Sequence, residues 1–291
     1  MTLSMEEIIQ RVKKLPTINT VAFEVIQLCS DPEVPIPKLV KVISGDQSLS
    51  SQVLRVANSS FFNYPREIYS LDRAIVILGF NLLKDITVSL SIFSLYKSFE
   101  LEINYDFKNL WRHSLFTGFA MKTLSESFDP EHKEILYIAG LLHDIGKLVL
   151  LYVLGEDYYF LLEKSEKEKK KLLELERKYL EFDHSEIGAK LLENWKLPEV
   201  ICSLVKYHHI PDQCEHEDEI ASWIRLVYLG NILAHLLKRD KVDIKTHQIF
   251  DYSMNKYYSF TEAEIIKLME NIRKDIQEQE NYIKLFEIGT L

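Results

Sequence analysis

The sequence predicts an all-α protein folded as a multi-helix bundle. Apolar residues recur at intervals of three and four along most of the chain, and no persuasive alternating run predicts a β-strand. The chain has only 9 glycines and 8 prolines, which fits a compact globular protein. Hydrophobic residues form 47% of the 291 positions, which is enough for a sizeable core and excludes a disordered chain.

The first hundred residues predict a series of short helices. Leu15-Pro16 and Asp31-Pro32 end the first two, and Gly79 interrupts the last apolar stretch. Pro35 and Pro37 lie at a loop and at a helix start, and residues 61–65 predict a turn. The predicted helices are 5–13, 18–30, a segment with Leu39, Val40 and Ile43 on its apolar face, 46–58, 71–78 and 81–97.

The remainder of the chain predicts longer helices. Asp183 is a candidate N-cap, and Thr261 with Glu264 has the spacing of a capping box. The stripe that follows Thr261 predicts a C-terminal helix that either packs on the core or mediates self-association into a homo-oligomer. The predicted helices are 106–128, 131–153, 156–181, 184–194, 198–207, 218–238 and 261–279.

Charge and cysteine usage exclude several classes of protein. The net charge is −9 with no long basic block, so direct nucleic-acid binding is not expected. Three dispersed cysteines without a CxxC pair fit a reducing cytoplasm and argue against a cysteine metal site. The N-terminus has no apolar signal core, and residues 136–154 are interrupted by polar side chains, so no membrane span is expected.

The doublet His143-Asp144, within Gly140-Leu-Leu-His-Asp-Ile-Gly-Lys147, is the strongest chemical signal. Imidazole and carboxylate both bind divalent metals, and a carboxylate can bridge two ions. Further candidate ligands are His113, His184, His208 and His209. Each histidine alone is more often a hydrogen-bonded structural residue, but the set together favours a metal site. The other histidines fit no such pattern: His132, His216, His235 and His247.

Two local details of this cluster stay open at the level of sequence. Adjacent histidines on one helix point about 100° apart, so both His208 and His209 could bind only if the site wraps around the end of that helix, and otherwise one would support the other. Lys147 lies one turn beyond His143, where it is a candidate phosphate contact of a substrate. An ordinary surface lysine is the equally weighted alternative, and no catalytic residue is assigned.

These residues resemble the HD superfamily of metal-dependent phosphohydrolases. The additional histidines are similar to those of the HD-GYP branch, but the chain reads His208-His-Ile-Pro-Asp-Gln213 where Gly-Tyr-Pro is expected. The remaining motifs resemble the HDOD domain (HD-related output domain) over about residues 12–238. They are Leu15-Pro-Thr-Ile-Asn19, Ser30-Asp-Pro32, Gly45-Asp-Gln-Ser-Leu49, Leu54-Arg-Val-Ala-Asn-Ser59, Ser70-Leu-Asp-Arg-Ala-Ile75, Leu78-Gly79, Asp183 to Pro198 and Tyr207-His-His209.

The resemblance implies an HD-domain-like core preceded by an N-terminal helical subdomain. The N-terminal part is predicted as residues 1–100 and the core with the His/Asp cluster as residues 101–240. Residues 241–291 lie outside the resemblance and are predicted as a C-terminal helical extension. The resemblance also implies bacterial origin and signal transduction, without an established enzymatic activity. By analogy, one ion would be held by His113, His143, Asp144 and Asn231, and the other by Asp144, His184, His208 and His209.

Asn231 stands where the superfamily pattern expects its final aspartate. A neutral amide is a weaker ligand than a carboxylate, so one bound ion of iron, manganese or zinc is expected rather than two. The leading hypothesis is a regulatory protein that binds a signalling protein or a small phosphate-bearing ligand. The alternatives are a metal-dependent phosphohydrolase of cyclic dinucleotides or nucleotides, and a metal-free scaffold with hydrogen-bonded histidines.

Overall fold

The computed structural model is all-α across the residues it describes. These are 3–12, 20–29, 31–59, 62, 64, 66–99, 105–214, 219–237, 257 and 260–288, and they contain no β-strand. The helices are α1 (Met5–Val12), α2 (Thr20–Cys29), α3 (Ile36–Ser44), α4 (Gln47–Ala57), α5 (Leu71–Ser98), α6 (Lys108–Phe128), α7 (Lys133–Leu142), α8 (Ile145–Leu154), α9 (Glu156–Glu168), α10 (Leu172–Leu180), α11 (His184–Asn194), α12 (Glu199–Tyr207), α13 (Glu219–Leu237) and α14 (Glu262–Ile288).

The chain forms two compact units. One comprises Met1–Leu15 and Ser98–Lys274, and the other comprises Pro16–Lys97 and Asp275–Leu291. In the second unit, α3 packs against both α2 and α4. Asn58 closes the loop after α4, because its side chain accepts from the Ile68 amide at 2.7 Å and donates to the Ile68 carbonyl at 2.8 Å. Gly79, at φ 72°, breaks the helical path of α5 as predicted.

The unit that contains the histidine cluster is built around α6, α7 and α13. Helix α7 packs along α6, α13 packs against both, and α12 contacts α7, α11 and α13. The backbones of α6 and α7 touch at two glycines, since a Cβ built on Gly140 would lie 2.8 Å from the Cα of Gly118. This close approach of α7 to α6 places His143 beside His113, whose ring centroids are 5.1 Å apart.

Two helices predicted as continuous are each divided. The segment predicted over 131–153 becomes a 3₁₀ turn followed by α7 and α8, with His143-Asp144 at the junction of the two helices. There the Lys147 amide donates to the Asp144 carbonyl, an i,i+3 bond in place of the helical i,i+4 bond. The segment predicted over 156–181 becomes α9 and α10, because Lys169 adopts the left-handed conformation at φ 52°.

Some of the other sequence predictions are confirmed, and others fall on residues that the structure does not describe. The Asp183 cap and the Thr261–Glu264 capping box are both present. The predicted turn at 61–65 and the start of the C-terminal extension, 241–256, lie largely outside the described residues. The three-part domain division and self-association through α14 stay predictions.

Three helical stretches have the length and composition that a membrane crossing requires. They are Leu71–Ser98, Pro130–Leu154 and Glu219–Leu237. The middle stretch contains residues 136–154, whose polar side chains were the sequence argument against a membrane span. Within its most apolar window, 83% is buried inside the protein. The absence of a membrane span stays a prediction.

Candidate metal centre

Asp144 is the centre of the histidine cluster. Its carboxylate is fully buried, and its two oxygens face two different sets of imidazoles. Five histidines surround it, brought from α6, from the α7–α8 junction, from α11 and from the end of α12. The ligand atoms fall into two groups, each within 4.8 Å of one another: His113, His143 and Asp144 in the first group, and Asp144, His184, His208 and His209 in the second group.

The first group gathers around Asp144 Oδ2. His143 Nε2 lies 3.4 Å from this oxygen, and His113 Nε2 lies 3.7 Å from it. Asn231, on α13, points into the same group, and its Oδ1 accepts a hydrogen bond from His113 Nε2 at 2.9 Å. Asn231, which stands where the superfamily pattern expects an aspartate, therefore contacts the first group through His113.

The second group gathers around Asp144 Oδ1. His184 Nε2 lies 3.3 Å from this oxygen and His208 Nε2 lies 3.7 Å from it. His209 Nε2 lies 3.0 Å from His184 Nε2, so both members of the adjacent pair face the cluster. They can do so because α12 ends at Tyr207, and the chain turns through His208 before Pro211. This is the arrangement under which the sequence allowed both histidines to bind, with the site wrapped around the end of the helix.

Backbone carbonyls fix the tautomers of two imidazoles. His143 Nδ1–H donates to the Gly140 carbonyl at 2.8 Å, and His208 Nδ1–H donates to the Val205 carbonyl at 2.6 Å. Burial lowers the pKa of His208 to about 4, so its ring is neutral and its Nε2 is a lone-pair acceptor that points toward the carboxylate. His208 Nε2 and Asp144 Oδ1 are both buried and make no hydrogen bond. Two buried acceptors that face each other without a hydrogen bond are energetically unfavourable, and a cation between them would remove that cost.

Glu176 is a functional residue that sequence reasoning missed. This fully buried carboxylate lies on α10, and its Oε2 accepts from His184 Nδ1 at 2.7 Å and from the His184 amide at 3.2 Å. The Tyr158 hydroxyl donates to its other oxygen. A carboxylate behind a ligating histidine orients the ring and raises its basicity. The turn after α9 brings Glu176 to this position, and no spacing rule could anticipate that turn.

Burial and neighbouring charges shift the pKa values of the cluster residues in different directions. Burial opposes ionisation of Asp144, yet His143 and Lys147 hold the pKa of this carboxyl well below its usual range. Burial lowers the pKa of His208 to about 4, and burial with the neighbouring imidazoles holds the pKa of His209 well below its usual range. Burial would also lower the pKa of His184, but Glu176 raises it to about 9.

Lys147 and His235 complete the surroundings of the first group. The Lys147 ammonium pairs with Asp144 Oδ2 at 2.6 Å, and its side chain is 14% exposed. The structure therefore does not place Lys147 as an ordinary surface lysine. His235, which fitted no sequence pattern, stacks on His113 with ring centroids 4.2 Å apart. His132 instead pairs with Asp129 at 2.8 Å, away from the cluster, while His216 and His247 lie outside the described residues.

Glu176→Gln should weaken metal binding about 10- to 100-fold while the protein stays folded. The amide cannot supply the negative charge that makes His184 a stronger ligand, although it preserves size and one hydrogen bond. Isothermal titration with Mn²⁺ or Zn²⁺ measures the change. Glu163→Gln, on α9 with its side chain paired to Lys167, is the matched control and should leave the affinity unchanged. Equal affinities for the two variants would exclude this role of Glu176.

Metal affinity should rise with pH. The pKa of His184 is raised from 6.5 to about 9 in the metal-free protein, so near neutral pH a metal must displace a proton from Nε2. The apparent affinity should increase about tenfold per pH unit up to pH near 9 and then level off. Conversely, the stability that this proton gives the metal-free protein is complete below pH 6.5 and is lost as pH rises through 9. Calorimetry in buffers of different ionisation enthalpy measures the proton released, and an affinity independent of pH would contradict the assignment.

Comparisons with known proteins identify the family. The family model of the HDOD domain matches residues 15–211. A crystal structure of an HDOD domain protein from Geobacter sulfurreducens is similar with a TM-score of 0.74, at 24% identity over 96% of both chains. A second similar structure, with a TM-score of 0.71 and 18% identity, is a protein from Shewanella amazonensis SB2B that has been proposed to be a phosphohydrolase, and the match covers 96% of this chain and 97% of that one.

A curated relative extends the same comparison to sequence. An uncharacterized protein of Treponema pallidum is 26% identical over 203 residues, which are 69% of this chain. The chain spans only 39% of the length of that relative. The match of the family model and the similarity of fold agree with the motifs, the all-α architecture and the HD-like cluster described above. The chain belongs to the HDOD domain family.

Proposed function

We propose that this chain is a regulatory HDOD protein that holds one divalent metal ion in the second group and acts by binding rather than by hydrolysis. The observation that carries the proposal is the meeting of two buried acceptors, Asp144 Oδ1 and His208 Nε2, neither of which makes a hydrogen bond. A divalent ion among Asp144, His184, His208 and His209 would satisfy both. The donor set of three imidazoles and one carboxylate suits iron, manganese or zinc.

The first group supports the non-catalytic part of the proposal. Its ligands beyond the shared Asp144 are neutral, since Asn231 supplies an amide oxygen and His113 and His143 supply imidazoles. Two-metal hydrolysis depends on anionic ligands that offset the charge of two adjacent cations. One carboxylate shared between two divalent ions leaves that charge largely uncompensated. We therefore infer a role in signal transduction, with a signalling protein or a small phosphate-bearing ligand as the partner.

The second candidate function is a metal-dependent phosphohydrolase. It is favoured by the convergence of five histidines on Asp144 with a lysine ammonium beside them, and by the activity proposed for the Shewanella relative. In that case the bound metal would activate water for attack on a phosphodiester. Lys147 would leave Asp144 to contact the substrate phosphate.

Hydrolysis assays on the wild type and on Asn231→Asp separate the two functions. Purified protein loaded with Mn²⁺, Fe²⁺ or Zn²⁺ is incubated with cyclic dinucleotides and nucleotides. The proposal expects no metal-dependent product from the wild type, and no gain of turnover when the anionic ligand is restored. Hydrolysis by the wild type that disappears in His143→Ala would overturn it, and turnover gained only by Asn231→Asp would identify a degraded catalyst.

A further inference from the structure

The two oxygens of the Asp144 carboxylate have opposite surroundings. Oδ2 receives the Lys147 ammonium at 2.6 Å, whereas Oδ1 is buried and makes no hydrogen bond. The ammonium reaches Oδ2 because Lys147 lies three residues after Asp144, in the first turn of α8. The Lys147 ammonium therefore lies on the Oδ2 side of the carboxylate, while the Oδ1 side faces His184 Nε2 at 3.3 Å.

The paired side is the side of the first group. The oxygen that holds the ammonium is also the nearest Asp144 oxygen to His143 and His113. A divalent ion in this group would need Oδ2 as its only anionic ligand, and it would share that oxygen with a fixed positive charge. The repulsion is weakly screened, because Asp144 is fully buried and Lys147 is only 14% exposed.

The hydrogen bonding of the first group fits a singly charged cation. His113 Nε2 donates to Asn231 Oδ1 at 2.9 Å, so this nitrogen would have to give up that hydrogen bond and its proton to bind an ion. His143 Nε2 and Asp144 Oδ2 are then the remaining acceptors that face the ammonium side of the cluster. An ammonium in a group with one anionic ligand, Asp144 Oδ2, leaves less uncompensated charge than a divalent ion would.

We propose that Lys147 is the resident cation of the first group, where its ammonium takes the place of a metal ion and limits the protein to one ion, in the second group. The inference rests on the proposed function, because it presumes that the second group binds metal. It turns Lys147 from a candidate substrate contact into a residue that sets metal stoichiometry. It also explains why Asn231→Asp alone is not expected to restore turnover.

Metal titration of Lys147 variants tests this inference. Lys147→Met removes the charge and keeps much of the side-chain length, while Lys147→Arg keeps the charge. We expect about one Mn²⁺ per chain in the wild type and in Lys147→Arg, and a second Mn²⁺ in Lys147→Met bound at least tenfold more tightly than in the wild type. Lys190→Met, at an exposed ion pair with Glu193, is the control and should keep one ion.

An electron paramagnetic resonance spectrum gives a signature independent of activity. Two Mn²⁺ ions bridged by Asp144 in Lys147→Met should show a spin-coupled spectrum, whereas one ion gives an isolated six-line spectrum. If Lys147→Met does not fold without its buried ion pair, Lys147→Gln replaces it, because the amide donates to Oδ2 without carrying charge. The metal-induced rise in Tm should be larger in either neutral variant than in the wild type.

The outcomes separate this inference from the proposed function. Two ions per wild-type chain, or one ion in both neutral variants with an unchanged Tm response, would overturn the role of Lys147. A wild type that binds no metal would overturn the proposed function. In that case, a single ion gained by Lys147→Met would still support Lys147 as the cation that excludes metal, and no ion in any variant would overturn it.

Discussion

Asp144→Asn should reduce the bound metal from about one ion per chain to roughly a tenth or less. Asp144 is the one carboxylate that both candidate groups share, and its Oδ1 is the buried oxygen without a hydrogen bond. Asparagine has nearly the same shape, so the loss would report the missing charge rather than altered packing. Elemental analysis of protein reconstituted with Fe²⁺, Mn²⁺ or Zn²⁺ measures it.

Two alanine variants locate the ion within the cluster. His184→Ala removes a ligand of the second group and should lose the metal as Asp144→Asn does. His143→Ala removes a ligand of the first group alone, and we expect it to retain the ion. The reverse result, metal kept by His184→Ala and lost by His143→Ala, would place the ion in the first group. Retention of a full equivalent by Asp144→Asn would contradict the site altogether.

Gly146→Ala should be the most destabilising single substitution near the site. A Cβ on Gly146 would lie 1.8 Å from the His184 carbonyl oxygen and 2.8 Å from the Gly188 amide nitrogen, so α8 must move away from α11. Backbone atoms cannot yield as a flexible side chain does, and we expect a loss of at least ~3 kcal/mol in the free energy of unfolding. Urea denaturation of the metal-free protein measures the loss.

Gly188→Ala is the matched control on the facing helix. Its added Cβ would meet side-chain and backbone atoms at 3.2 to 3.3 Å, which small shifts can relieve. It should therefore cost clearly less stability than Gly146→Ala. If Gly146→Ala folds, it should also bind metal more weakly, since α8 begins directly after Asp144 and α11 begins at His184. Equal stability of Gly146→Ala and the wild type would mean that α8 and α11 do not touch as described.

Local sequence patterns were sufficient to predict most of the helices. The same local motifs carried the resemblance from which the HD-like fold was expected. Proline and glycine stops, apolar periodicity and the Asp183 cap are properties of a few neighbouring residues, and the structure follows them. Pattern did not predict where long helices divide. The break at His143-Asp144 and the turn at Lys169 leave the helical periodicity intact on both sides, so only tertiary packing reveals them.

The cluster was predicted by residue type, and its supporting residues were not. His113, the doublet and the downstream histidines lie together as two metal-ligand groups, which fits the analogy. Glu176 was not predicted, because an isolated glutamate in a charged helix is expected at the protein surface. In the structure, α10 buries it against His184. Lys147 stayed open between a phosphate contact and a surface lysine, because sequence spacing cannot show that its ammonium reaches Asp144.

The most direct test of the central claim is the metal content of the wild-type protein. The protein is purified without chelator or metal-affinity resin, reconstituted with iron, manganese or zinc, and measured by elemental analysis against protein concentration. About one ion per chain is predicted, because the second group is complete and the first is occupied by Lys147. No ion after reconstitution with any of the three metals, or two ions per chain, would contradict the account.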